Sequence, residues 1–223
     1  MSIVFLIWLS GLQPSAFVIP RHQVKLVIDG KAKESVWDKA KSFEEFLSPW
    51  DTLQVPATSF KTFCDSSHLY FYFKIKDSQV ICYDHKDLAT AVEGSDRVEL
   101  FFASNDSLSP YYGLEIDACE RFISFKAHGY RQFEENWEFP KFGTEDFKIR
   151  GYRKGYAVEG RIQLKVLEEL DILHNGSMLI GLHRAEYHRA GKSDKVRWLS
   201  WNNYSIDKPD FHIREGFRMV QIK

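Results

Sequence analysis

Three charged side chains, Glu99, Glu115 and Arg184, lie in short segments in which apolar and polar residues alternate. Because successive side chains of a strand point to opposite faces, the alternation places them on a face away from an apolar core. Carboxylates accept hydrogen bonds from adjacent hydroxyl groups, and a guanidinium donates through a planar fork. A surface that carries all three, with aromatic rings nearby, predicts a site for a neutral, hydroxyl-rich ligand. The alternative is a solvated sheet face with an ordinary salt bridge.

Patterns for catalysis and for metal binding are weak in this sequence. Paired carboxylates can hydrolyse glycosides, but nothing here places an acid in an apolar pocket opposite a nucleophile, so we predict that the chain is not an enzyme. The eight histidines are dispersed, and neither a zinc motif, a nucleophile elbow nor a phosphate-binding loop occurs. Isolated aspartates in loops commonly form turns, but they can also ligate calcium. The calcium candidates are Asp84, Asp87, Asp96 and Asp106.

Short strands are the elements that must position these residues. Runs of β-branched and aromatic residues, bounded by turn-forming residues about every 8 to 15 positions, are typical of an all-β sandwich or barrel. Helical spacing of apolar residues predicts only two short helical segments, 34–40 and 165–173. The predicted strands are 24–28, 58–64, 69–75, 97–103, 111–117, 122–127, 147–152, 156–162, 178–187, 196–201 and 217–222.

The composition indicates a globular chain and excludes several function classes. The 223 residues carry 30 Lys and Arg against 31 Asp and Glu, whereas a dedicated nucleic-acid binder usually has a basic excess. Aromatic residues make up 15% of the chain, too many for disorder or a coiled coil. No Pro/Gly/Ser-rich linker divides residues 17–223, which are predicted to form one domain. Three cysteines allow one disulfide at most, and a Cys64–Cys82 pair is left open.

Residues 1–16 resemble a secretory signal peptide. An apolar run at 3–9 is followed by small residues and Pro14, as in the hydrophobic region and cleavage site of such signals. The run is far shorter than the roughly 20 residues that cross a membrane, so we predict no membrane span. We expect a secreted or periplasmic protein. Because no Lys or Arg precedes the run, a buried first strand is the alternative.

Segments that follow one another along the chain together resemble the family 9 carbohydrate-binding modules and their bacterial relatives. The resemblance implies a single jelly-roll-like antiparallel β-sandwich, non-catalytic saccharide binding and, in some members, structural calcium. The segments are Val27-Ile28-Asp29-Gly30 with Glu34-Ser35-Val36-Trp37, Leu69-Tyr70-Phe71, Asp96-Arg97-Val98-Glu99-Leu100-Phe101-Phe102, Tyr111-Tyr112-Gly113-Leu114-Glu115-Ile116-Asp117, Gly155-Tyr156-Ala157-Val158-Glu159-Gly160, and Trp198-Leu199-Ser200-Trp201 with Pro209-Asp210-Phe211-His212.

The resemblance also implies site residues. Two tryptophans of the xylanase-attached modules enclose a terminal sugar; one of these positions falls on Phe211, and the other is occupied by Glu93. Glu99 matches a ligand-binding glutamate, whereas Glu115 stands where those modules have an arginine. Trp201 is the candidate to replace the missing tryptophan, and Trp37 is expected in the core because its burial is strongly stabilising. The predicted binding residues are Glu99, Glu115, Arg184, Phe211 and Trp201.

The leading functional hypothesis is therefore a non-catalytic module that binds an oligosaccharide or polysaccharide. One alternative is a haem-binding electron-transfer sandwich, for which Met178, Met219 and the histidines offer ligands without a defined pair. A second alternative is an accessory module that has lost its sugar site and binds a protein partner. The sequence predicts no nucleic-acid partner and does not indicate an oligomeric state.

Overall fold

Short strands dominate the computed structural model, which describes residues 17–52, 55–190 and 193–223. The predicted signal peptide at 1–16 lies outside these ranges. None of the helices in the described ranges has the length and hydropathy of a membrane span. The elements are β1 (Phe17–Ile19), β2 (Lys41–Phe43), β3 (Thr58–Cys64), β4 (His68–Lys76), α1 (Leu88–Glu93), β5 (Arg97–Ala103), β6 (Tyr111–Asp117), β7 (Phe122–Ala127), β8 (Phe147–Tyr152), β9 (Gly155–Gln163), α2 (Leu164–Glu169), β10 (Ser177–Ala190), β11 (Ser193–Ser200) and β12 (Arg218–Ile222).

The strands form two sheets. The smaller sheet has the order β2-β3-β4-β9-β8, and the larger sheet has the order β1-β12-β10-β5-β6-β7. Strand β11 extends the larger sheet by pairing with the second half of β10. Neighbouring strands are antiparallel apart from β1, which runs parallel to β12. The structure thus confirms the predicted all-β sandwich with two short helices.

Apolar side chains of the two sheets meet in one core. Val98, Leu100 and Phe102 of β5 pack in the same cluster as Phe71 and Phe73 of β4, and all five are almost completely buried. Burying an apolar side chain of this size stabilises folding by roughly 1.5–3 kcal/mol. Because side chains alternate along a strand, burial of these positions sends the intervening polar residues of β5 to the outer face of the larger sheet.

Four segments differ from the sequence-based prediction, and two of them are the short strands β1 and β2, which were not predicted. Residues 24–28 form no strand; Val24, Leu26 and Ile28 instead lie half-buried against the cluster around Trp37. Trp37 is buried as expected, and its indole N–H donates to Glu159 at 3.2 Å. Helix α1 was not predicted, because one short helical turn capped by Asp87 leaves no usable periodicity.

The prediction that Arg184 shares a surface with Glu99 is wrong. In the register of β10 and β5, His183 is opposite Glu99, whereas Arg184 is opposite the core residue Val98. Arg184 therefore points between the sheets, where its guanidinium contacts Asp77 at 2.7 Å and Thr58 at 3.1 Å. A register shift of one residue would reverse this assignment, and the sequence alone does not fix the register.

Trp201 is also not a ligand-binding residue in this structure. It follows the last residue of β11 and is 1% exposed. Its ring makes edge contacts with Phe17 and Phe43 in the core between the sheets. The prediction fails because Trp201 is three positions after Trp198, and an odd spacing in an extended chain directs the two rings to opposite faces.

The disulfide joins Cys82 to Cys119, so the Cys64–Cys82 pair is not formed. The bridge ties the segment that precedes α1 to the turn between β6 and β7. Cys64, at the end of β3, is a free and fully buried thiol.

We expect thiol titration to count one free thiol per denatured chain without reductant and three after reduction, because the sequence has three cysteines and the structure pairs two of them. In the native protein the Cys64 thiol should not react, since burial raises its pKa to about 12. Three thiols before reduction would contradict the Cys82–Cys119 bridge.

We expect Arg184→Ala to lower the free energy of unfolding by about 3–5 kcal/mol, because it leaves the buried Asp77 carboxylate without its cation. Urea unfolding followed by circular dichroism measures this loss. Arg153→Ala, at an exposed turn, is the matched control and should change stability by less than about 0.5 kcal/mol. A loss below about 1 kcal/mol for Arg184→Ala would show that the ion pair does not join the sheets as described.

Candidate functional site

A cleft of about 950 Å³ opens on the outer face of the larger sheet. Side chains of β5, β6, β7 and β11 form its floor, and its walls come from α1 and from the segments 131–142 and 209–212. Its volume is at the upper end of the roughly 300–1,000 Å³ that is usual for ligand sites.

The strand register aligns side chains in rows across the cleft floor. Glu99 of β5 is paired with Glu115 of β6 on one side and with His183 of β10 on the other. In the adjacent row, Arg97 and Trp198 are both paired with Ala185. Paired positions share a face of the sheet, so the register alone brings two carboxylates, an imidazole, a guanidinium and an indole together.

Arg97 is the cation at the centre of this floor. Its Nε atom lies 2.7 Å from Glu115 Oε2 and 2.9 Å from Glu99 Oε1, and its Nη1 donates to the backbone carbonyl of Glu93 at 2.6 Å. The single Nε–H is directed at Glu115. Glu99 Oε1 therefore lies close to the positive charge of Arg97 but accepts no hydrogen bond, although the atom is buried.

The environment of the cleft floor disfavours ionised carboxylates. Burial and the Glu115 charge raise the pKa of Glu99 well above its ordinary value, despite the attraction of Arg97. Burial and the same Glu115 charge also raise the pKa of Glu93. Directly opposed like charges on neighbouring strands are destabilising, so this floor costs folding stability.

Aromatic rings stand beside the polar floor. The Phe211 ring stacks on His183, with centroids 4.1 Å apart and an interplanar angle of 8°, and it meets Trp198 edge to face at 5.7 Å. The Arg97 guanidinium lies 5.5 Å from the centre of the Trp198 ring. Trp198 is partly buried and lines the cleft. Planar rings next to directed polar groups suit a ligand that has both apolar and hydroxyl-bearing faces.

The segment 131–142 supplies the opposite wall. Phe133 and Trp137 line the cleft, and Phe133 is 47% exposed. Arg131 contacts Asp210 at 3.2 Å and so links this wall to the segment that carries Phe211. The two walls are therefore held at a fixed separation around the floor.

The structure brings three of the five predicted binding residues to the cleft. Glu99, Glu115 and Phe211 all line it. Phe211 is 5% exposed, so most of its ring serves packing against His183. Arg184 and Trp201 lie in the core, as described above. The ligand-binding role of the three cleft residues stays a prediction.

Several cleft residues were missed by the sequence interpretation. Arg97 could have been found, since it is two positions from Glu99 and so on the same face of one strand. Trp198 was noticed only as part of the family resemblance, and the register with Ala185 assigns it to the cleft. Phe133 and Trp137 lie in a segment without strand or helix periodicity, so no local signal indicated that they reach the cleft.

Three of the four aspartates considered for calcium have other roles. Asp87 caps α1, Asp96 accepts the backbone N–H groups of Ile81 and Tyr187, and Asp106 pairs with Arg214. Within residues 17–52, 55–190 and 193–223, no group of three or more potential metal ligands occurs. Structural calcium therefore stays a prediction from the family resemblance.

Comparisons with known proteins identify the family of the chain. The model of the family described as "Carbohydrate family 9 binding domain-like" matches residues 28–212, most of the chain. The chain belongs to this family. Non-catalytic carbohydrate binding is accordingly its class of function. No curated protein matches the chain significantly.

Solved structures share the fold of this family 9 chain at 15% sequence identity. A Bacteroides uniformis protein to which carbohydrate binding is attributed aligns with a TM-score of 0.65 over 93% of this chain and 99% of its own. A family 9 module from Caldicellulosiruptor kristjanssonii aligns with TM-scores of 0.60 in complex with glucose and 0.61 in complex with cellotriose. These alignments cover 92% of this chain and 95% and 93% of the module, respectively.

The haem alternative finds no support in this family 9 sandwich. Met178 is buried in the core, whereas Met219 is 44% exposed. The pairing of β10 with β12 places Met178 opposite Val220 and Met219 opposite Leu179, so the two sulfur atoms belong to opposite faces of the larger sheet.

We expect the wild-type protein to lose folding stability as the pH rises, and we expect Glu99→Gln to reduce this loss. In the unfolded chain Glu99 ionises near pH 4.5, whereas in the folded chain it keeps its proton to higher pH. Above pH 4.5 the folded state therefore binds more protons than the unfolded state, and the free energy of unfolding falls as the pH rises. Urea unfolding between pH 5 and 8 should show a shallower decline for the variant, by up to about 1.4 kcal/mol per pH unit. Glu168→Gln, an exposed position on α2, should keep the wild-type slope. Equal slopes for wild type and Glu99→Gln would refute the assigned environment.

Proposed function

We propose that this family 9 chain is an exported, non-catalytic module that binds an oligosaccharide in the cleft of the larger sheet. The observation that carries the proposal is the floor made by Arg97, Glu99 and Glu115 directly beside the Trp198 ring. This combination offers both directed hydrogen-bonding groups and an apolar plane, which are the two requirements for recognising a pyranose ring.

The polar groups of the floor are positioned to form hydrogen bonds with the hydroxyl groups of a ligand. Glu99 Oε1 is a buried acceptor without a donor, and leaving such a group unpaired costs about 1–3 kcal/mol. A sugar hydroxyl that donates to this oxygen would remove the cost on binding. Arg97 is held by both glutamates and by the Glu93 carbonyl, so its position requires little further ordering.

The size and shape of the cleft favour an oligosaccharide over a single sugar. A volume of about 950 Å³ accommodates several sugar rings, and the cleft offers one aromatic ring on its floor, Trp198, and another on a wall, Phe133. A family 9 module of the same fold binds glucose and cellotriose, which supports a short saccharide chain as the ligand class.

The arrangement of the carboxylates argues against glycoside hydrolysis. Glu99 and Glu115 both contact the same nitrogen of Arg97 and stand side by side on the floor. A hydrolase places its two carboxyl groups on either side of the scissile bond, one of them as an acid and the other as a nucleophile or base. Because Arg97 Nε contacts both Glu99 and Glu115, the guanidinium occupies the space between these two carboxyl groups, where a glycosidic bond would have to lie.

The disulfide supports export of the chain. Disulfides such as Cys82–Cys119 persist in oxidising compartments outside the cytosol. The signal-like residues 1–16 point the same way. A secreted or periplasmic location is where a module would meet polysaccharide.

We expect Trp198→Ala to weaken oligosaccharide binding by at least about tenfold, because it removes an aromatic plane at the cleft floor. Isothermal titration calorimetry of the wild type and the variant with cello-oligosaccharides and xylo-oligosaccharides measures the change. Trp50→Ala is the matched control: Trp50 also packs on Phe211, at 5.8 Å, but it does not line the cleft.

The control separates a lost contact from damaged packing. Trp50→Ala should lower stability and leave the affinity within about threefold of wild type. Equal losses of affinity for both variants would show that Trp198 acts through packing and not through contact with the ligand. A folded wild-type protein that binds no saccharide of a broader glycan panel would refute the proposal and favour the accessory, partner-binding alternative.

A further inference from the structure

The charges at one end of the cleft do not balance. Three carboxylates, those of Glu93, Glu99 and Glu115, line the cleft around a single guanidinium, that of Arg97. The Glu115 charge is close enough to disfavour the ionised form of Glu93. Both Glu99 and Glu115 are largely buried, so solvent screens their charges weakly.

Elsewhere in the cleft the acidic groups have cationic partners. Asp210 contacts Arg131 at 3.2 Å, and Glu134 contacts Lys126 at 2.8 Å. Glu138 adds a carboxylate on the rim, where it is exposed to solvent. The surplus of negative charge is thus concentrated beside Arg97, on the floor where the ligand is proposed to bind.

Glu99 provides an independent sign that a donor is missing from this position. Its Oε1 atom is buried without a hydrogen-bond donor, and the residue as a whole is only 2% exposed. The other charged or titratable groups that face it are Arg97 on β5, Glu115 on β6, His183 on β10, Glu93 at the end of α1, and the Tyr187 and Tyr204 hydroxyls. Burial lowers the pKa of His183, so its ring is neutral. Apart from Arg97, none of these groups carries positive charge.

We propose, resting on the proposed saccharide-binding function, that the preferred ligand is an amino sugar of the glucosamine type, with its protonated amine beside Glu93, Glu99 and Glu115. An ammonium group supplies donors and a positive charge at once, whereas a hydroxyl supplies one donor and no charge. A neutral sugar leaves the surplus charge to be neutralised by a bound proton. An N-acetylated sugar has no charge at this position and adds bulk.

The release of a proton on binding distinguishes an amino sugar from a neutral sugar, which a measurement of affinity alone does not. Without ligand, burial and the Glu115 charge hold the pKa of Glu99 high, so that the cluster retains a proton near neutral pH. An ammonium placed beside the carboxylates favours their ionised form, and that proton leaves the protein. A neutral sugar makes no such change, and its binding releases little or no proton.

The test is isothermal titration of the intact chain with three probes: the glucosamine trimer, its N-acetylated counterpart and cellotriose. The measurements are made near pH 6, where an amine with a pKa near that of an α-amino group, about 7.7–8.0, is protonated. We expect the glucosamine trimer to bind at least about tenfold more tightly than either neutral probe. The affinity of the protein for the trimer should also fall as the salt concentration is raised. Proton release should make the observed binding enthalpy depend on the ionisation enthalpy of the buffer.

A charge-removing variant identifies the cluster as the source of the preference. Glu93→Gln preserves the backbone carbonyl that accepts from Arg97 and Tyr187, so the local structure should be retained. It should reduce the ratio of the affinity for the glucosamine trimer to the affinity for the neutral probes by at least about threefold. Glu168→Gln, on the exposed side of α2, is the matched control and should keep the wild-type preference.

The outcomes separate this inference from the proposed function. Equal or tighter binding of cellotriose or of the N-acetylated trimer overturns the amino-sugar inference and leaves saccharide binding in place. Absence of binding by all three probes to the folded protein counts against both. A preference that survives in Glu93→Gln and Glu99→Gln together would show that the cation is recognised elsewhere, and it would also overturn the inference.

Discussion

The register of β10 against β5 is the constraint on which the candidate site depends. It sets His183 opposite Glu99 and Arg184 opposite Val98, and so decides which charged groups face the cleft and which lie between the sheets. Moving the pairing by one residue would turn Glu99 into the core between the sheets and turn the apolar side chains of β5 out of it, at a cost of several buried apolar side chains. The hydrophobic core therefore fixes the composition of the cleft floor on the opposite face of the same strands.

The cleft floor is costly for the fold, and neighbouring features offset that cost. Arg97 lies between two opposed glutamates that would otherwise repel each other. Helix α1 supplies the Glu93 carbonyl that holds this guanidinium, and the Cys82–Cys119 bridge secures the segment that leads into the helix. Such an arrangement, in which stability is given up at one place and recovered nearby, is common at ligand sites.

The cleft differs from the family pattern at one position of the stacking pair. At the position where the resemblance places a stacking tryptophan, this chain has Glu93, and the structure puts it on the cleft wall beside Arg97. One aromatic plane is thereby exchanged for a carboxylate, while Trp198 and Trp137 line the cleft from other segments. The sandwich itself is unaffected, because its core lies on the other side of the strands.

The sequence by itself determined the strands and the faces of each strand. The alternation in β5 and β6 predicted that Glu99 and Glu115 are outside and that Val98 and Leu114 are inside, because a strand has a fixed period of two. Only the tertiary structure decided which strands meet and in which register, and this is why Arg184 was misassigned and the place of Trp198 in the cleft was overlooked. Pairing between distant strands depends on the packing of the whole core, and no local pattern around residue 184 contains that information.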